Sequence, residues 1–159
     1  FEENVMYHKI KGPLPEEEYL IPFGQADIKR PGDDVTIVAL SRMVHPALAA
    51  AEKLAAEGIS AEVIDPRTLT PLDEKTLIES VIKTGGAVIV DEGYNRFGAT
   101  AELAAVIAYG AFDYLDAPVE RLGAMDVPIP FTPPLEFATI PDEDKIIRAV
   151  HRVLEGRRR

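Results

Sequence analysis

The chain has 159 residues, a formal net charge of −10 and no cysteine, and 47% of its residues are hydrophobic. That length suits one domain burying roughly 70% of its unfolded surface, the charge argues against a nucleic-acid-binding face and for either a solvated acidic shell or a basic partner, and the missing thiols exclude disulfides and thiolate zinc sites. The three histidines lack a metal-ligand spacing and no apolar run approaches the roughly 20 residues of a membrane span, so the expected location is cytoplasmic.

The opening Phe1-Glu2-Glu3-Asn4-Val5 has no initiator Met and no cap or turn before it, and reads as cut from a longer protein. Residues 1–21 carry Gly12, Pro13, Pro15 and Glu16-Glu17-Glu18 without a sustained period, the pattern of a connector. Gly24-Gln25-Ala26-Asp27-Ile28-Lys29 is then followed by the turn Arg30-Pro31-Gly32-Asp33-Asp34. Too short for a crossover helix, that turn predicts a hairpin, with an antiparallel edge strand beside the first parallel one.

From there one phrase repeats: a short apolar run, a charged turn, then an amphipathic stretch of helix length. The runs are 35–40 (VTIVAL), 61–65 (AEVID) and 87–91 (AVIVD), with 119–123 (VERLG) a weaker fourth. They are rich in β-branched residues and nearly unbroken, so each is expected to be buried on both faces. The pattern predicts an α/β fold: a three-layer α/β/α arrangement whose sheet is mostly parallel with one antiparallel edge strand. A first helix is expected over 46–57, with Gly58 as its stop. A second is expected to open at Thr70-Pro71-Leu72-Asp73, with Thr70 as cap and Pro71 in the first position, and to end at Gly85-Gly86. The third, over 99–109, is Ala-rich and apolar nearly all round, which predicts burial against more than its own sheet. After the fourth run, the prolines of 126–134 predict an extended strap. A last helix follows from Pro141-Asp142-Glu143-Asp144 to about Leu154, acids first and Arg148 and Arg152 later, as the helix dipole favours. Gly156 is a plausible stop, and Arg157-Arg158-Arg159 forms a basic tail on an acidic body.

Parallel sheets gather chemistry at the carboxyl ends of their strands. There the sequence offers His45 as a base, Asp65 or Asp91 as its partner, and Arg67 or Arg96 for an anion. Strand-end Asp residues equally cap helices or pair with a neighbouring Arg, and a His at a helix entrance is commonly a neutral hydrogen-bonding group. Neither nucleotide-binding glycine loop is present. Gly93 and Gly98 ahead of the third helix could open its N-terminus to an anion or simply let the loop turn. Tyr94 and Phe97 are core caps or interface anchors, and Asp113 and Asp116 mark an exposed turn.

Taken together, Gly24-Gln25-Ala26-Asp27-Ile28, Gly32-Asp33-Asp34-Val35-Thr36-Ile37-Val38-Ala39, Val63-Ile64-Asp65-Pro66-Arg67-Thr68-Leu69, Val90-Asp91-Glu92-Gly93 with Gly98 and Ala101-Glu102, and Tyr114-Leu115-Asp116-Ala117-Pro118 resemble one family. It is the beta subunit of the decarboxylating component of 2-oxo acid dehydrogenase complexes, the group that handles pyruvate, acetoin or branched-chain substrates. Residues 22–156 resemble its transketolase C-terminal-like domain, residues 1–21 the end of the preceding pyrimidine-binding domain and its linker, and 157–159 stand as a basic tail.

The resemblance implies oxidative decarboxylation of a 2-oxo acid, with acyl transfer to lipoyl groups, in a complete enzyme that uses thiamine diphosphate and magnesium. In the family that cofactor lies between the alpha subunit and the N-terminal half of the beta subunit. That half, with its catalytic residues and potassium site, is not in this sequence. The resemblance therefore assigns no catalytic, cofactor-binding or metal residue here, and the segment alone is expected to be inactive.

What it does imply is assembly and docking. The C-terminal domain joins a second beta subunit in an α2β2 heterotetramer with the alpha subunit. It also docks the small, basic peripheral-subunit-binding domain of the dihydrolipoyl acyltransferase, with no nucleic acid or membrane involved. The family's acidic docking residue falls at Asp116, helped by Asp113, while Tyr94, Phe97 and Ala105 are expected at the beta-to-beta contact. Family chains tend to end near Gly156, and the three arginines that follow here would oppose a basic partner. The alternatives are the C-terminal domain of another transketolase-like enzyme, which would revive His45 and Arg67 near a phosphorylated substrate, and a stand-alone α/β domain that binds a small anion.

Overall fold

In the computed structural model the apolar runs become four parallel strands, β2 (Val35–Ala39), β3 (Ala61–Asp65), β4 (Ala87–Tyr94) and β5 (Glu120–Ala124), with β1 (Asp27–Arg30) antiparallel at one edge. The helices are α1 (Val44–Ala56), α2 (Glu74–Thr84), α3 (Ala99–Gly110), α4 (Pro133–Thr139) and α5 (Glu143–Gly156). The structure describes Met6, residues 11–13 and residues 16–157. Part of the expected 1–21 connector, and Arg158 and Arg159 of the tail, lie outside the described residues.

Strand side chains alternate between faces, and the two cores follow that alternation. Val35, Ile37, Ala39, Val63, Val88 and Val90 pack with α1 and α5 on one face. Val38, Ile64, Ala87 and Ile89 pack with Leu77 and Val81 of α2 and Leu103 and Ile107 of α3 on the other. The strand order β1-β3-β2-β4-β5 explains the division. A right-handed crossover places its helix on one face when the chain moves one way across a sheet and on the opposite face when it moves back. The step from β2 to β3 carries α1, and the return steps from β3 to β4 and from β4 to β5 carry α2 and α3. The three layers expected from the sequence result, and the chain reverses direction between β2 and β4.

The expected hairpin does not form. β1 pairs with β3, Asp27 opposite Asp65, and β3 lies between β1 and β2. The short turn crosses the amino end of β3: the Asp33 and Asp34 N–H groups donate to the Ser60 carbonyl at 3.0 and 2.8 Å, and the Ser60 N–H donates back to Asp34 Oδ2 at 2.6 Å. Gly32 permits the crossing, since a Cβ there would stand 2.3 Å from the backbone of Ala61 and Glu62.

The second helix also starts later than expected. Its N-cap is Asp73, not Thr70, because Asp73 can satisfy three donors at once: Thr76 N–H at 3.1 Å, the Thr76 hydroxyl at 2.7 Å and the Ala26 N–H at 2.9 Å. Burial disfavours the charged form of Asp73, but these donors outweigh it and hold the carboxyl below its usual range. The strap is only partly extended. Residues 126–132 are irregular, whereas Pro133 and Pro134 open α4, since proline is accommodated in a first helical turn. Among the described residues no helix is long and apolar enough to cross a membrane.

Candidate functional site

At the carboxyl edge of the sheet, the crevice where a parallel α/β domain usually receives a ligand lies between β2 and β4, where strand order reverses. Here an ion pair between Arg42 and Glu92 spans it, and the Leu40 N–H donates to the Val90 carbonyl at 3.0 Å beneath. One strand away, Asp65 accepts the Arg67 N–H at 2.9 Å and the Arg67 guanidinium donates to Asp27 at 2.7 Å. Lys29, hydrogen-bonded to Asp27, together with Arg67 holds that carboxyl below its usual range despite partial burial. Arg96 pairs with Asp126 at 3.6 Å. Among the described residues no hydrogen bond or ion pair joins His45, exposed in the first turn of α1, to Asp65 or Asp91. The arginines at the strand ends are thus each paired with a carboxylate, and the suggested base, acid and anion binder do not form a single constellation.

Three non-glycine residues at this edge have positive φ: Ser41 at 51°, Arg67 at 58° and Phe97 at 57°. Each follows a strand, so the tight strand-to-helix turns concentrate backbone strain here. Phe97 is fully exposed, and Tyr94, at the end of β4, is half-exposed.

The other arrangement runs along the outer side of α3 beside β5 toward the amino edge. α3 turns Leu103 and Ile107 into the sheet and leaves Ala101, Ala104, Ala105 and Ala108 along an open groove of about 820 Å³. Its far wall is the segment from Leu115 to Val119 with Arg121, and Asp116 lies in it. The structure therefore brings Ala105 and Asp116 into one groove. Tyr94 and Phe97 precede the N-terminus of α3, outside the groove lining although Ala101 of the first helical turn belongs to it, and Asp113, exposed in a 3-10 turn over Phe112–Tyr114, is outside the lining too.

Asp116 is anchored through its backbone, which donates to the Gly85 carbonyl at 2.8 Å where α2 ends. Gly85 has φ 71°, and a Cβ there would meet Asp116 Oδ2 at 2.3 Å. Arg157, just past α5, donates from its guanidinium to the Thr84 carbonyl and lies 4.0 Å from Asp116 Oδ2. The resemblance set the arginines after Gly156 against a basic partner, but not this contact, since the two residues lie 41 positions apart and no local pattern joins them.

Sequence reasoning missed Glu62, which is 1% exposed on β3. Ser80 Oγ donates to one carboxylate oxygen at 2.5 Å, Lys83 Nζ to the other at 2.5 Å, and Ser80 and Thr84 both bond Thr36 Oγ1, at 2.6 and 2.7 Å. One signal was available, a lone Glu inside an apolar strand. Among the described residues no group of three or more His, Asp or Glu side chains is placed to hold a metal ion.

A family model for the transketolase C-terminal domain matches residues 24–146. The acetoin:2,6-dichlorophenolindophenol oxidoreductase subunit beta of Bacillus subtilis is 45% identical over 154 residues, covering 97% of this chain and 45% of that protein. The mitochondrial pyruvate dehydrogenase E1 component subunit beta of Dictyostelium discoideum is 47% identical over 140 residues, covering 88% of this chain and 39% of its own length. A split-gene transketolase solved as an inactive beta4 tetramer superposes with a TM-score of 0.73 at 32% identity, over 88% of this chain and 44% of that one. The chain spans less than half the length of each of these proteins.

Proposed function

The chain belongs to the transketolase C-terminal domain family, and from that membership we propose that it is the assembly and docking domain of the beta subunit of a thiamine-diphosphate-dependent 2-oxo acid dehydrogenase. In the complete, cytoplasmic enzyme it joins a second beta subunit, an alpha subunit and the basic peripheral-subunit-binding domain of a dihydrolipoyl acyltransferase. Oxidative decarboxylation and acyl transfer belong to that assembly, and the cofactor and its magnesium are held elsewhere in it. The resemblance assigns no catalytic, cofactor-binding or metal residue to this segment, and on that reading the segment alone is inactive.

The observation that carries this reading is the groove, in which the small-residue wall of α3 and Asp116 meet. Alanines let another backbone approach closely, toward the 8 Å lower end of helix-packing distances, so the wall suits a second copy of the chain. An exposed carboxylate at its end suits a cation, and the net charge of −10 steers one toward it. Tyr94 and Phe97 extend the self-contact past the N-terminus of α3. The split-gene transketolase neighbour, itself a tetramer of beta chains, supports self-association as a property of the full subunit. The Arg42–Glu92 pair across the reversal crevice weighs against the stand-alone anion binder.

Sedimentation of the full assembly tests the reading. Ala105→Glu places an unpaired carboxylate in the contact at a cost of about 3 kcal/mol or more, over a hundredfold in association. Glu79→Lys, at a side chain on α2 that is 65% exposed, leaves assembly unchanged. Equal behaviour of the two variants refutes the assignment.

A further inference from the structure

We propose that Arg157 is an internal competitor for the Asp116 carboxylate, keeping the docking site self-occupied until a cationic partner displaces it. The proposal rests on the docking reading of Asp116. It starts from the end of α2, where two adjacent carbonyls hold an acid and a base side by side: Gly85 accepts the Asp116 N–H, and Thr84 accepts the Arg157 guanidinium. The two side chains then differ in freedom. Arg157 is 20% exposed, and its buried Nε has no hydrogen-bond acceptor; Asp116 is 62% exposed, with Oδ2 4.0 Å from that Nε. A buried donor without an acceptor is costly, and the carboxylate that would satisfy it is one rotation of an exposed side chain away. Arg157 is the fixed half of the pair and Asp116 the mobile half.

A basic partner therefore meets a carboxylate whose charge is already balanced. To engage it, the partner must draw Asp116 outward from Arg157 and tolerate the guanidinium left behind. At 4 Å, under solvent-like screening, one such charge changes a binding constant by a factor of about five. The opposition that a basic tail presents to a basic partner becomes a tuning device, which holds docking weaker than the carboxylate alone would make it.

The test titrates the basic peripheral-subunit-binding domain against the full assembly at low and high salt. Arg157→Gln keeps an amide donor for the Thr84 carbonyl but removes the charge, and it tightens binding about fivefold at low salt and less at high salt. Arg157→Ala tightens it as well, while Arg157→Lys, which keeps the charge, stays within about twofold of the parent. Asp116→Asn weakens binding at least tenfold, and in that background Arg157→Gln has no further effect. Unfolding midpoints measured alongside show that each variant is folded. If Asp116→Asn weakens docking but neither Arg157→Gln nor Arg157→Ala tightens it, the competition is overturned and the docking reading stands. If Asp116→Asn binds like the parent, the docking reading falls and the competition falls with it.

Discussion

Glu62 offers the sharpest test of how this fold is held, because its carboxylate is 1% exposed whereas its cation, Lys83, is 43% exposed at the side chain. Glu62→Gln keeps the volume and the oxygen that accepts from Ser80, but turns the second oxygen into a donor. That donor faces the Lys83 ammonium at the position where the carboxylate accepts at 2.5 Å, and the Gly32 N–H at 3.4 Å. Removing one partner of a buried pair costs about 3–5 kcal/mol when the other charge is stranded. Lys83 can turn to water, so the expected loss is lower, about 2 kcal/mol. At about 2–4 °C per kcal/mol for a domain of this length, the melting temperature falls by about 4–8 °C. Lys83→Met removes the exposed partner and strands the buried one, so it is expected to cost more, in the full 3–5 kcal/mol range. Thermal unfolding followed by circular dichroism measures both. A Lys83→Met variant that melts higher than Glu62→Gln would refute the argument that burial, rather than the pair itself, sets the cost.

Gly85→Ala forces a left-handed φ of 71° on alanine, about 1–2 kcal/mol, while its methyl need only turn the exposed Asp116 carboxylate aside, so the melting temperature is expected to fall and docking to persist; an unchanged melting temperature would refute the need for glycine at the end of α2. Asp73→Ala removes a cap worth about 1–2 kcal/mol. Because the Asp73 carboxyl lies below its ordinary value of 3.8 in the folded state, its contribution is present above that value and is lost as the pH falls through the folded pKa. Urea unfolding between pH 6 and pH 2 is expected to show the variant's stability curve converging on the parent's at the acid end, and parallel curves would count against the linkage.

The layers, the parallel strands and the helices were legible because each rests on a local pattern: unbroken β-branched runs for the three inner strands, and alanine-rich or striped segments ending at Gly58 and Gly85. The fourth run, expected to be buried on both faces, is instead the half-buried edge strand β5, since nothing among the described residues pairs beyond it. What was not legible depends on residues far apart in sequence. Nothing local distinguishes a β1 that folds onto β2 from one that reaches past it to β3; the deciding contact is Gly32 on the Ala61–Glu62 backbone. Thr70 and Asp73 both suit a cap, and the choice falls to Asp73 because the Ala26 N–H comes within 2.9 Å of it. The candidate site was legible in its parts, with Ala105 and Asp116 singled out separately. Their meeting in one groove, and the arrival of Arg157 beside Asp116, required the packing of α3, the 115–119 segment and the end of α5.

The placement of β3 between β1 and β2 also constrains the order in which the chain can assemble. During synthesis β1 emerges before the other strands of this sheet, yet the neighbour it pairs with does not exist until β2 and α1 have been made and β3 has followed them. Until then β1 carries unpaired backbone donors and acceptors beside a β2 that cannot receive it in the native sheet. The first strand of this sheet to be made is thus seated late, and its docking covers the open edge of β3 and leaves the outer side of β1 as the edge. Ala26, bonded to the cap of α2, ties that closure to the helix formed immediately after β3, so the beginning of the domain is secured by its middle.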